Sequence, residues 1–517
     1  MDDRSDGLRY ASAAGRWVLL ATVLGSGLAA IDATVVGIAL PAIGRDFHAG
    51  LAALQWVVTA YTLTLAGLLL VAGSLGDRYG RRRVFAIGVI WFAVSSALCA
   101  AAPNAPVLIA ARALQGIGAA LLTPGSLAIL QASFAPADRG KAIGAWSGLG
   151  GVATAIGPLL GGWLIQALSW RLIFVINLPL AVVVVAVAWR HVPESHDPGA
   201  TGRVDVTGGA LVTLGLVALT YGLIEGASLG WRSPAVLGSL VAGMALLSAF
   251  VAWERRARSP VLPLELFSST QFNATNAVTL VVYAALGGAL FLLPIQLQQV
   301  SGYPAVAAGA SLLPVTVLML VLSARSGALA ARIGPRLQMS VGPILVGAGL
   351  ALLARVDESG SYLTQVLPAV VVLGLGLATT VAPLTSTVLA AAPANHAGAA
   401  SAVNNDVARA AALIAVAVLP AAAGITGAAY REPAQFASGF RTACFICAAL
   451  CLLGGLLAAL TIRRTAPQAP AEEPRLHCAL DAPALHRMSL SSAGGAASGR
   501  PGSPPPGPPP PPSFRAR

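Results

Sequence analysis

Charge is scarce in this sequence: Asp, Glu, Lys and Arg together make up 10% of its 517 residues. A soluble domain carries about 25%, so a water-soluble globular fold is excluded. Lysine is almost missing, with Lys141 standing alone beside abundant alanine, glycine and arginine, a bias that points to a GC-rich bacterial genome. Cysteine is scarce as well. Cys99, Cys444, Cys447, Cys451 and Cys478 form no ligand cluster, and no histidine or aspartate joins Cys444, Cys447 and Cys451 at useful spacing, so no metal centre is expected. Cys444, Cys447 and Cys451 share a helix face and read as small apolar packing residues. There is no G-x-x-x-x-G-K-S/T, no H-E-x-x-H and no catalytic triad, so neither ATP-driven work, nor an enzyme, nor a cofactor is expected. His48 and His396 fall near loop ends and read as surface residues.

Basic residues are the one charge in surplus, 32 against 20 acidic ones, for a net charge of +12. They are scattered rather than gathered in one stripe, which argues against a nucleic-acid partner. They fit short basic loops on one side of a lipid bilayer.

Apolar sequence fills the rest, with 56% hydrophobic residues and a mean hydropathy of +0.77. A membrane span needs roughly 20 apolar residues. Fourteen stretches qualify: 17–40, 51–72, 84–102, 106–130, 141–166, 171–190, 207–227, 235–252, 271–296, 304–324, 338–354, 364–390, 403–427 and 437–461. The expected fold class is therefore an all-α polytopic membrane protein. Residues 1–16 are polar and carry no cleavable signal peptide of the usual form. The basic clusters fall in the even-numbered loops: 78–83, Arg139 with Lys141, 190–203, 255–258, and Arg332 with Arg336. The odd-numbered loops hold singles such as Arg45, Arg232 and Arg431. Both termini are therefore expected on the cytoplasmic side of a plasma membrane.

Several stretches carry more than span chemistry. Residues 73–83 read G-S-L-G-D-R-Y-G-R-R-R, a tight loop in which glycines permit a sharp turn between two helices. Asp32 lies in I-D-A-T-V-V-G-I-A-L-P, where a carboxylate in an apolar helix is expensive and usually functional. The alternatives are a wet helix end or a purely structural partner. Gln55, Trp56 and Tyr61 open the second span, and the aromatics there read either as interface anchors or as cavity lining. Arg112 opens R-A-L-Q-G-I-G-A-A, and Gln115 shares its face. Residues 148–162, G-L-G-G-V-A-T-A-I-G-P-L-L-G-G, make a flat face for close helix packing, and Pro158 can bend it. Trp170 to Pro179 reads W-R-L-I-F-V-I-N-L-P. Residues 191–206 form a polar linker, Glu225 sits near the outer surface, and residues 465–517 are a Pro-rich, disordered tail.

The last six stretches echo the first. Residues 325–336, with Gly334 and Pro335, look like a degenerate second copy of the 73–83 loop, with Ala330 or Ala331 where an acid is expected; this supports internal duplication. Gln296 and Gln299 either line an exit or sit in the headgroup layer. Asn404, Asn405, Asp406 and Arg409 open the thirteenth span, and Asp406 and Arg409, three apart, are placed to neutralise one another or to serve transport directly.

These motifs, in this order, resemble those of the major facilitator superfamily, and of its fourteen-span drug:proton antiporter branch, over residues 15–462. The resemblance implies a six-helix half over 17–190, the linker 191–206, two extra spans over 207–252 outside the moving core, and a second six-helix half over 271–461. It implies that Gly73, Asp77, Arg78, Gly80 and Arg81 help control the conformational switch. It assigns proton coupling to Asp32 and Arg112, although Gly37 stands where Asn is usual. It places Tyr61, Gln115, Gln296, Asn404 and Asn405 at the substrate cavity. Gly157, Pro158 and Gly161 belong to a motif found largely in exporters, which disfavours passive uptake; they too are assigned to the conformational switch, with Gly157 and Pro158 expected at a tight contact between the two halves. Two function classes remain: a proton-coupled exporter of small lipophilic compounds, and a non-transporting membrane binding or sensor protein on the same fold. The tenth span has no acid over 304–322, which leans the substrate toward neutral or singly charged compounds. The expected partners are a small molecule, protons and the bilayer, with a monomer as the functional unit.

Overall fold

A computed structural model of the chain describes residues 7–197, 204–257, 262–393 and 396–463. The Pro-rich tail and the middle of the 191–206 linker lie outside the described residues. Among the described residues fourteen helices are long and apolar enough to cross a membrane. They are α1 (Ala13–Asp46), α2 (Leu51–Tyr79), α3 (Arg81–Ala101), α4 (Ala105–Ser133), α5 (Pro136–Ala167), α6 (Leu172–His191) and α7 (Val206–Leu229). Then come α8 (Pro234–Glu254), α9 (Thr270–Val300), α10 (Ala305–Ile333), α11 (Pro335–Leu353), α12 (Tyr362–Ala390), α13 (Gly398–Ala422) and α14 (Pro433–Thr461). The fold is all-α; the described residues contain no β-sheet, only an isolated bridge between Leu8 and Phe134.

The helix starts follow from side chains that satisfy otherwise orphaned amides. Ser12 accepts from the Gly15 amide at 3.0 Å, Asn104 from Val107 at 3.0 Å and Asp205 from Gly208 at 2.8 Å. Ile87, Trp91, Val94 and Leu98 form an exposed apolar stripe on α3, the arrangement expected of a face that meets lipid.

Successive spans alternate in direction, so the loops fall on two faces, called here the Gly50 face and the Gly80 face. The N-terminal segment belongs to the Gly80 face. The Leu8 amide donates to the Ser133 carbonyl at 2.7 Å, and the Tyr10 amide donates to the Asp138 carboxylate at 3.0 Å.

The turn between α2 and α3 needs its glycine. Gly80 has φ +107°, and a Cβ there would sit 2.8 Å from the Glu194 side chain. Asp77 accepts from the Arg81 guanidinium at 2.7 and 2.9 Å, and the Arg82 amide donates to Glu194 at 3.0 Å. Arg78 lies over the Tyr79 ring. Gly73 packs near Pro124 of α4. The same turn recurs between α10 and α11, where Gly334 has φ +83°. The Gly334 amide donates to Ala330 at 2.9 Å, as Gly80 does to Gly76 at 3.1 Å. Ala331 therefore occupies the place of Asp77, and the second turn lacks the carboxylate.

The first six and last six spans meet through α1 with α9, α2 with α13, and α5 with α10. Near the Gly50 face these contacts are tight. Gln55 donates to the Val416 carbonyl at 2.6 Å, and Gln298 donates to the Ile38 carbonyl at 2.9 Å. Here one hydrophobic core joins Leu40, Ile43 and Leu54 to Phe291 and Phe436. A separate core, with Val18, Phe85 and Phe134, serves the first six spans toward the Gly80 face. Helix α7 packs on both α2 and α13, where Leu63, Leu216 and Leu413 form a three-way contact.

Candidate functional site

Polar groups are rare inside these helices, so a cluster of them needs a physical reason. Asp32, Arg112, Gln115, Ser96 and Asn177 come from α1, α4, α3 and α6 and meet in one network, each at most 1% exposed or fully buried. The Arg112 guanidinium donates to Asp32 Oδ2 at 2.5 Å and to Gln115 Oε1 at 2.5 Å, and its Nε donates to the Val57 carbonyl at 3.2 Å. The Gln115 amide donates to Asp32 Oδ1 at 2.9 Å and to Ser96 Oγ at 2.7 Å. Asn177 donates to Ser96 at 3.2 Å and, more weakly, to Asp32 at 3.4 Å. Tyr61 stacks on Arg112, with the guanidinium carbon 4.3 Å from the ring centre.

The carboxyl group of Asp32 and the guanidinium of Arg112 are therefore buried together and hydrogen-bonded. Desolvation of two ions is expensive, and it is offset only with this kind of geometry.

A cavity of about 190 Å³ lies beside the network, between the two six-helix sets. Its walls include Gly37, Tyr61, Thr62, Arg112, Phe291 and Val416. Arg112 lines the cavity, whereas Asp32 sits behind it. The Tyr61 hydroxyl is buried with no hydrogen-bond partner. A Cβ at Gly37 would meet nothing within 4 Å, so the missing Asn leaves open space.

The other expected cavity residues fall elsewhere. Gln115 is not at the central cavity but inside the ion-pair network. Gln296 is buried near the Gly50 face and donates to the Val356 carbonyl at 3.1 Å. Asn404 joins α13 to α9, donating to Asn276 at 3.0 Å and Thr279 at 2.8 Å. Asn405 is exposed and donates to the Ser401 carbonyl of its own helix at 2.9 Å. Ser96 and Asn177 were not singled out from sequence. Asn177 lies within the W-R-L-I-F-V-I-N-L-P stretch, and an amide in an apolar run was the available signal.

Close approach of α5 to its neighbours depends on missing side chains. Gly157 lies against Thr34 and Gly161 against Val35, both on α1 of the same half. Gly157 therefore does not make the contact between halves expected of it, because its open side is taken up by α1; Pro158 and Gly162 make that contact instead. A Cβ at Gly162 would lie 2.6 Å from the Ala305 carbonyl oxygen, and Gly309 abuts the Pro158 carbonyl. Toward the Gly80 face, a Cβ at Gly144, Gly148 or Gly151 would meet nothing within 4 Å. Leucine at Gly162 is therefore expected to keep the halves apart near the Gly50 face. Transport by Gly162→Leu should fall at least about tenfold, since overpacking a tight contact costs roughly 1–3 kcal/mol. Gly148→Leu should stay within about twofold of wild type, with both variants inserted normally. Efflux rates at matched membrane expression check this, and wild-type transport by Gly162→Leu would show that the contact does not matter.

Comparison with known proteins extends these observations. The family description Major Facilitator Superfamily matches residues 22–417. The chain is 36% identical to the tetracenomycin C resistance and export protein of Streptomyces glaucescens, over 77% of this chain and 75% of that one. It is 37% identical to the puromycin resistance protein of Streptomyces alboniger, over 80% and 83% of the two chains. It is likewise 37% identical to a multidrug resistance protein of Mycobacterium tuberculosis, over 74% and 71%. Among solved structures, a bacterial homolog of the human lysosomal transporter Spinster superposes with a TM-score of 0.63 at 17% identity, covering 88% of this chain and 98% of that one. A peptide transporter superposes with a TM-score of 0.63 at 14% identity, covering 89% and 98%.

Proposed function

The chain belongs to the Major Facilitator Superfamily, and from that premise we propose that it exports small lipophilic compounds across a bacterial plasma membrane in exchange for protons. The observation that carries this reading is the Asp32–Arg112 pair, buried at the wall of a cavity between the two halves. Relatives named for export of, or resistance to, tetracenomycin C, puromycin and multiple drugs support a small organic substrate.

The chemistry follows from the arrangement. A guanidinium beside a carboxylate favours the charged carboxylate, and its withdrawal favours the protonated form. Arg112 faces the cavity and Asp32 faces Arg112, so whatever occupies the cavity acts on Arg112 first. Water that fills the cavity in the absence of substrate draws Arg112 away and leaves Asp32 to take a proton. Substrate that displaces this water returns Arg112 to Asp32 and expels the proton, so the two are exchanged. Gln115, Ser96 and Asn177 hold the carboxylate in place through both states. Alternating access then exposes the cavity to each side in turn as the two halves rock about it. The chain acts as a monomer, since the network and the central cavity are complete within it. The test is loss of uphill export on replacing Asp32, developed in the Discussion.

The Gly80 face is cytoplasmic in this reading, because the clusters at 78–83, 139–141 and 255–256 lie there. Single cysteines at Gly50 and Arg463, in a background without the native cysteines, check the orientation. A membrane-impermeant maleimide added to intact cells should label Gly50→Cys alone. Labelling of both positions from the same side would contradict it.

A further inference from the structure

The basic clusters gather on the Gly80 face, so arginines at the opposite mouth need a separate reason. Arg45 and Arg431 stand as singles far apart in the sequence, and the fold brings both to one cavity of about 740 Å³ at the Gly50 face. The cavity straddles the seam between the two halves. Arg45 and His48 come from the end of α1 and the turn after it. Gln298 and Gln299 come from the end of α9, and Tyr430 and Arg431 from the loop before α14. No carboxylate is among its lining residues.

Neither guanidinium is engaged by the protein. Among the described residues Arg45 and Arg431 have no side-chain hydrogen bond and no ion pair. The neighbouring acids do not supply one. Asp46 is held by Arg171 at 2.7 Å and by the Trp170 indole at 3.0 Å. Glu432 is exposed and pairs with neither arginine. Tyr430 is 6% exposed, and its hydroxyl accepts from Gln299 at 3.1 Å, so its own proton is left to donate. Burial holds this phenol above its ordinary range, against the pull of Gln299 and of the positive charges of Arg45 and Arg431, so the proton stays on it at neutral pH. A Cβ at Gly44 would lie 3.0 Å from the same hydroxyl, so Tyr430 rests directly on the first half. Two like charges turned into one cavity repel. Helix packing has no use for that repulsion, and an anion between them converts it to attraction.

We propose that the mouth at the Gly50 face is a binding site for a phosphoryl group, clamped between Arg45 of one half and Arg431 and Tyr430 of the other. A guanidinium presents a planar fork that matches phosphate oxygens. Donors converge from Arg45, His48, Tyr430 and Arg431, and a tetrahedral oxyanion has the oxygens to meet them, where a planar carboxylate has only two. The cavity exceeds a bare phosphate, so the group comes either from inorganic phosphate in the medium or from a lipid headgroup. Each half supplies part of the site, which is therefore whole only while this face is closed. By reciprocity the bound anion favours the closed face. Binding stands apart from the export reading; only an effect on export rate rests on it.

Binding of radiolabelled orthophosphate to the full chain in maltoside micelles, at constant ionic strength, tests the site. Wild type should bind, and Arg45→Gln and Arg431→Gln should each weaken binding by at least about tenfold, since hydrogen bonds to charged groups are the strong ones. Tyr430→Phe, which keeps the ring but removes the donor, should weaken it about threefold. Both arginines are exposed and unpaired, so these variants keep the fold. Acetate should compete at least about tenfold more weakly than phosphate. Dihexanoylphosphatidylglycerol as competitor separates the two sources: tighter binding than phosphate assigns the site to a lipid headgroup, and weaker binding assigns it to the free ion. Spin labels on Gly50→Cys and Gln435→Cys, in a background without the native cysteines, read the face itself by double electron–electron resonance. Either probe should enlarge the short-distance population in wild type and leave it unchanged in Arg45→Gln. Failure of both probes to bind wild type would overturn the site. So would equal binding by wild type and the two arginine variants, competition by acetate equal to that by phosphate, or binding that leaves the distances unchanged.

Discussion

Asp32→Asn is expected to abolish accumulation of substrate against its gradient while sparing substrate binding and downhill exchange. Asparagine keeps the shape of the carboxyl group and its one oxygen can still accept from Arg112, while its NH2 takes the place of the oxygen that accepts from Gln115; the two donors hold Asp32 at 2.5 and 2.9 Å. It cannot take up or release a proton. In vesicles with a pH difference of one unit, each exchanged proton is worth about 1.4 kcal/mol, or about tenfold accumulation. Wild type should approach that ratio per proton, and the variant should stop at equal concentrations on both sides. Radiolabelled uptake measured to steady state checks this. If the variant still pumps uphill at the wild-type rate, coupling lies elsewhere, with Asp406 and Glu225 the next carboxylates to examine.

Arg112→Leu should be the most destabilising change at the site. It leaves Asp32 buried, 1% exposed, with its charge uncompensated. Removing one partner of a buried pair costs about 3–5 kcal/mol. The loss also breaks the bonds to Gln115 and the Val57 carbonyl and the stacking on Tyr61. The single variant should unfold at a clearly lower temperature and should not transport. Adding Asp32→Asn removes the orphan charge, so the double variant should regain most of the stability but none of the coupled transport. Thermal unfolding of purified single and double variants reads this directly. A single variant as stable as wild type would mean that Arg112 does not compensate a charged Asp32.

Much of this fold could be read from the chain because each span must satisfy its own backbone in lipid. Long apolar runs therefore announce themselves, and all fourteen reappear as helices. Asp32, Arg112 and Gln115 were legible for the same reason: each is costly in an apolar run. What the runs do not encode is which polar groups meet across helices. Ser96 and Asn177 look like ordinary small polar residues until α3 and α6 bring them to Asp32. The glycines of α5 showed that something packs closely, but not that Gly157 would face α1 while Gly162 faces α10. Gln296 was read by nearness to a membrane face and Asn405 by resemblance to the family, and the structure joins one to the loop after α11 and turns the other onto its own backbone. Asp406 and Arg409 stand three residues apart on the helix, yet Asp406 Oδ1 and Arg409 Nε are both buried without a hydrogen-bond partner.

The most direct test of proton-coupled export is proton movement driven by substrate alone. The compound is first identified by growth and efflux assays over a panel in a pump-deficient host. It is then loaded into vesicles that carry a pH-sensitive dye, with no pH difference at the start. In wild type, substrate leaving down its gradient should draw protons inward and acidify the lumen. In Asp32→Asn the substrate should leave and the lumen should stay unchanged. Acidification of wild-type size in the Asn variant, or none in wild type, would contradict the account.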